Sequence, residues 1–155
     1  MSRFAIAAFL ALVLVVLLIP AANRAAEPAR IEPVVVETAQ GRFTFTAEIA
    51  DTPELRQRGL MFRHNVPEER AMLFDWGRVA PVSMWMRNTY VSLDMIFIAA
   101  DGRVAKVAEA TEPLSDATIS SGEPVAAVLE VVAGTAQRIG LKPGDRVRHP
   151  MFASP

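Results

Sequence analysis

Five side chains between positions 58 and 94 are of the types from which a binding or catalytic site is built: Arg58, Arg63, Trp85, Asn88 and Asp94. Asp94 is the sharpest of them. It stands in the run LDMIFI, where alternation makes both faces apolar except for this one carboxylate. An unpaired carboxylate there would cost several kcal/mol, so it must meet an arginine, an amide or backbone N–H groups. Arg58, Arg63, Arg87 and Asn88 are the partners the sequence offers. Two chemical readings follow: Asp94 is a general acid or base in a cleft, or part of a ligand-binding surface. The structural alternative is a cap that holds the 88–92 loop at the start of the strand.

Arg58 and Arg63 flank Gly59-Leu60-Met61-Phe62. Two planar guanidinium forks at one helix end suit a carboxylate, phosphate or sugar acid, unless one of them is spent on an acid of the domain itself. Asn88 and Thr89 either close a turn on their own backbone or present an amide to a ligand. Trp85 would supply an aromatic face beside these polar groups, an arrangement suited to a sugar-like ligand. Met84 and Met86 share a strand face among five nearby methionines, which raises soft-metal binding of Cu(I) against ordinary core filling. His64 and His149 each stand alone, and HExxH, GxSxG, P-loop and GxGxxG patterns are absent from the sequence.

Composition narrows the partners. The 155 residues carry 16 basic and 17 acidic side chains in no long run of one sign, so the electrostatic footprint of a nucleic-acid binder is missing. With no cysteine, disulfides, zinc-thiolate sites and thiol nucleophiles are excluded together. No cofactor is implied.

The N-terminus speaks about location. A basic start at Arg3 is followed by an uninterrupted apolar run over residues 4–19, then Pro20 and several alanines. Residues 1–26 read as an export signal, either cleaved or retained as an anchor through residues 4–22. The domain is therefore expected to work outside the cytoplasm, periplasmic or secreted, and to meet a membrane only through that segment. Residues 27–33, with two prolines, read as a linker, and residues 34–150 as one domain.

Within that domain, strands are expected at 34–37 and 42–49 as a hairpin, then at 71–74, 82–87 and 93–99. Asp101-Gly102 turns the last of these into another strand at 103–109. Residues 111–124 read as a loop, 125–132 as a strand with Glu130 flanked by Leu129 and Val131, and 146–149 as a closing strand. A helix starts at Thr52-Pro53-Glu54 and stops at Gly59, and 134–139 holds one helical turn. The sum is a mainly β domain of about seven short strands and one or two short helices, an antiparallel sandwich or partly closed barrel.

RGLMFR with MLF, then WMRNT, LDMIF, the Asp-Gly turn, and the closing VLEV, Ala133-Gly134 and Gly144-Asp145 resemble the domain of unknown function 192 family. The resemblance spans residues 34–149 and implies a small, mainly β fold, often behind an export signal, without implying an activity. On the residues themselves, the leading expectation is a non-catalytic module binding a small polar or anionic ligand, or a protein partner. An enzyme using Asp94 and a Cu(I) site at Met84 and Met86 are the alternatives.

Overall fold

The computed structural model describes residues 28–152. The expected signal or anchor at residues 1–26 lies outside the described residues. Among those described, no helix is long and apolar enough to cross a membrane.

Seven strands form one sheet: β1 (Arg30–Thr38), β2 (Gly41–Ala50), β3 (Arg70–Met84), β4 (Leu93–Ile98), β5 (Val104–Ala108), β6 (Ile119–Val132) and β7 (Arg146–Arg148). Their order across the sheet is β5-β4-β6-β3-β2-β1-β7. The sheet curls into a half-barrel, as a mainly β chain with short helices was expected to do. All pairings are antiparallel except β2 with β3. That exception follows from the connection between them, where α1 (Pro53–Arg58) carries the chain back to the start of the sheet as a crossover.

The two edges touch. The Val104 and Val147 amides donate to the Asp145 and Gly102 carbonyls, both at 2.8 Å, and Arg103 bridges Arg146. Gly102 permits this approach: with φ at +83°, a Cβ there would lie 2.6 Å from the Val147 oxygen.

Curling creates two apolar layers. The concave side holds alternate residues of every strand, such as Val36, Ile49, Leu73, Ile96, Leu129 and Val147, plugged by Ala136, Ile139 and Leu141 around α2 (Thr135–Arg138). The outer side packs Met72, Phe74, Leu93, Met95 and Phe97 against Leu60 and against Val82, Met84 and Met86. Since β4 lies between the two layers, all six of its residues are buried.

Three boundaries differ from expectation. β1 begins at Arg30, inside the expected linker, because Arg30–Pro33 pairs along β2 down to Ile49. Residues 71–74 and 82–87 are not separate strands; β3 runs through both, absorbing Gly77 and Pro81 at register shifts opposite β6. The second half of the expected loop at 111–124 is the start of β6, with Pro124 opposite Pro81 at one of these irregularities.

α1 forms as its sequence dictates. Thr52 caps it by accepting from the Leu55 amide at 3.2 Å, Pro53 opens it, and Gly59, at φ +48°, ends it by donating to the Leu55 carbonyl. A Cβ on Gly59 would press the Phe74 ring at 3.2 Å, so the helix end sits directly on the outer face of β3.

Candidate functional site

Between that helix end and the sheet lies a cavity of about 340 Å³. Its roof is the Arg56 to Met61 stretch, and its floor is the outer face of β3 and β6, where Phe74, Trp76 and Glu130 reach it. The remaining wall is the chain leaving β3, with Ser83, Met84, Trp85 and Thr89. Phe74 and Trp76 are stacked with ring centroids 5.9 Å apart, and Trp85 is half exposed with the Arg87 guanidinium 5.3 Å above its ring. Just beyond Met61 and Thr89 of the lining, the two segments are tied by a backbone bond from the Phe62 amide to the Asn88 carbonyl at 2.8 Å. Both residues have positive φ, 63° for Phe62 and 55° for Asn88. Asn88 adopts that conformation readily, whereas Phe62 stores strain there.

Glu130 is the residue that sequence reasoning passed over. It stands on β6 opposite Met72 of β3 and Met95 of β4, with apolar side chains around it. Among the described residues no hydrogen-bond or ion-pair partner meets its carboxyl. Burial pushes its pKa up to about 8, opposed only by the positive field of Arg63. The carboxyl is therefore a neutral acid near pH 7, a donor as well as an acceptor. The signal that marks Asp94, one acid in an apolar strand, marks Glu130 equally.

The residues singled out from sequence divide into those the cavity gathers and those it does not. Arg58 and Trp85 line it. Arg58 is exposed and has no ion-pair partner among the described residues. Its neighbour Arg56 is engaged by the carbonyls of Asp51 and Asp75 at 2.7 and 2.6 Å. Arg63 does not join Arg58 in a clamp. It forks onto Glu48 of β2, at 2.5 and 2.8 Å, with Arg70 alongside at 3.7 Å, in a separate recess beyond Leu60. That pairing holds the Glu48 carboxyl below the usual carboxylate range. Asn88 does not line the recess; its backbone ties Phe62 beside it, and its side-chain amide lies 3.9 Å from the Met61 sulfur.

Asp94 meets none of the arginines expected for it. It faces the concave side and accepts from the amides of Ala110 at 2.9 Å and Ala136 at 2.8 Å. One carboxylate thus pins the loop after β5 and the first turn of α2 to the central strand, and it is sealed from the cavity. Met84 and Met86 pack in the outer apolar layer, and the Met86 sulfur lies 3.1 Å from the Thr111 hydroxyl, which donates to the Leu93 carbonyl at 2.8 Å. Among the described residues no group of three or more His, Cys, Asp or Glu side chains could hold a metal ion.

Fold and cavity together define a class: a small, mainly β half-barrel domain with a semi-enclosed, partly aromatic recess under its first helix. Residues 34–149 match the family described as Uncharacterized ACR, COG1430, or DUF192, and the chain belongs to that family. A structure from Sinorhizobium meliloti 1021, named as a candidate transcription regulator, is similar with a TM-score of 0.76 and 47% identity, covering 78% of this chain and 95% of that one. A protein of unknown function from Novosphingobium aromaticivorans DSM 12444 is similar with a TM-score of 0.76 and 38% identity, covering 81% and 94%. No curated protein matches the chain.

Proposed function

We propose that this domain is a non-catalytic binding module that holds a small polar or anionic molecule in the cavity beneath α1. The observation that carries the reading is the buried Glu130 carboxyl, which lines the recess and has no hydrogen-bond or ion-pair partner among the described residues. Buried polar groups normally have partners, and an unpaired one beside an open recess is satisfied when a ligand supplies what the chain does not. The volume falls at the small end of ligand sites, which run from about 300 to 1,000 Å³. Arg58 and Trp85 at the rim add a charge and an aromatic face. The titratable side chains lining the recess are Arg56, Arg58 and Glu130, a set without the paired base and nucleophile that acid–base or covalent catalysis uses.

The apolar run behind Arg3 supports a module that acts outside the cytoplasm, cleaved or tethered. Fractionation of cells carrying the full-length chain with a C-terminal tag tests this, and a tag found wholly in the cytoplasm would remove the proposal.

Binding is tested by thermal unfolding of the full-length chain against organic acids, sugars, phosphorylated compounds and amines. A ligand at a hundredfold over its Kd adds about 2.7 kcal/mol to the folded state. The expected result is a raised Tm with one chemical class, reduced in both Arg58→Ala and Trp85→Ala while each stays folded. A shift that neither substitution alters places the ligand elsewhere and defeats the reading.

A further inference from the structure

We infer that the molecule this recess takes is a small monocarboxylate with an apolar body, the Glu130 carboxyl donating a hydrogen bond to one ligand oxygen and Arg58 supplying the countercharge at the mouth. The inference rests on the recess being a ligand site, as proposed above, and names the chemistry it selects.

The charges that line the recess decide the sign of the ligand. From α1, Arg56 and Arg58 line the recess. Arg63, beyond Leu60, is paired with Glu48, which Arg70 of β3 also approaches, and its remaining field is the one that lowers the Glu130 pKa. From β3 and β4 the residues opposite Glu130 are Met72 and Met95. The other buried acid nearby, Asp94 on β4, points to the opposite face of the sheet and is occupied there. The lining is therefore cationic wherever Glu130 keeps its proton, which burial favours up to about pH 8. An amine would meet the like charge of Arg56 and Arg58, whereas a carboxylate meets the opposite charge of both, Arg58 being without an ion-pair partner among the described residues, and one neutral acid.

The shape decides the rest. Phe74 and Trp76 stacked on the floor, with Leu60, Met84 and Trp85 around them, favour a flat or branched hydrocarbon body over a hydroxyl-rich one. One acid proton and one unpaired guanidinium match one carboxylate. A dianion such as phosphate would leave part of its charge desolvated against aromatic rings.

The proton makes the inference testable by its pH signature. In benzoate titrations of the full-length chain, followed by calorimetry, affinity is expected to hold between about pH 6 and pH 7.5. It should then fall by about tenfold per unit above pH 8, as Glu130 loses the proton that it donates. In Glu130→Gln the side-chain amide replaces that donor, so binding is expected to persist at pH 9 with the fall abolished. Arg58→Ala should weaken benzoate at every pH without moving the break, and benzamide, the neutral counterpart, should bind at least tenfold less tightly than benzoate at pH 6.

Benzylamine binding that strengthens with rising pH would overturn the inference and leave the binding module standing. So would benzoate binding without a pH break, or an unchanged break in Glu130→Gln. Glucose or inorganic phosphate binding in place of benzoate would do the same. No response to any of these probes at any pH would remove the inference; the binding reading falls with it only if the wider thermal-unfolding screen also raises no Tm.

Discussion

Asp94 and Glu130 are two acids buried to the same degree, 0% and 4% exposed, on adjacent strands of one sheet. They differ in what lies over them. Asp94 faces the concave side, where two backbone amides converge on it and the chain itself consumes its hydrogen-bonding capacity. Glu130 faces outward into a recess whose nearest walls are apolar, and its capacity stays open. Burial of an acid therefore does not distinguish structural work from binding; the presence or absence of donors built for it does.

The largest effect that could break this contrast is on Asp94. Asp94→Ala leaves the Ala110 and Ala136 amides without their acceptor, at about 1–3 kcal/mol each, so a loss of about 3 kcal/mol is expected in urea unfolding. A loss below about 1 kcal/mol would mean that Asp94 does not hold these segments. Glu130→Gln should act in the opposite direction and only with pH. Because the folded carboxyl titrates near 8 and the unfolded one near 4.5, the native chain binds the extra proton between those values. Its stability then falls as pH rises through that window, by roughly 1 kcal/mol per unit, and levels off above it. Glu130→Gln removes the slope, so the variant should match the wild type near pH 4.5 and exceed it at pH 9. Parallel stability curves across the window would deny the buried acid its proton.

Arg63→Ala sharpens the contrast, since Arg63 lowers the pKa of both Glu48 and Glu130. Losing the fork on Glu48 should cost about 1–2 kcal/mol near neutral pH. Glu48 is depressed in the folded state, so that contribution is present above its unfolded value and lost as pH falls through the folded one; the penalty should fade in acid. The same substitution should move the Glu130 break upward, as read by the benzoate titration. Arg87→Ala is the smallest: the Arg87–Asp116 pair is exposed on both sides, and its removal should change stability by no more than about 0.5 kcal/mol.

Much of this architecture was legible residue by residue. Thr52, Pro53 and Gly59 announce α1 because caps act locally, and alternation in LDMIFI assigns each β4 side chain to the correct layer. The single long β3 was not legible, since Gly77 and Pro81 read as breaks until β6 is seen bending alongside. The parallel pairing of β2 with β3 depends on a crossover that no local pattern encodes. Of the candidate site residues, Arg58 and Trp85 reach the recess, while Arg63, in the loop after α1, is drawn to Glu48, fifteen positions away on β2. A period of two tells which residues share a face but not what covers that face, and this is why Asp94 was favoured over Glu130.

The contact between the two edges of the sheet bears on how this chain behaves in company. An open sheet offers unpaired amides and carbonyls to any neighbouring strand and is a template for aggregation. Here Gly102, Val104, Asp145 and Val147 satisfy one another at one end of the curl. Along the rest of β5, Lys106 places a charge on the edge. Opening that seam by Gly102→Ala would cost more than one strained turn: it would hand the molecule two sticky borders at once.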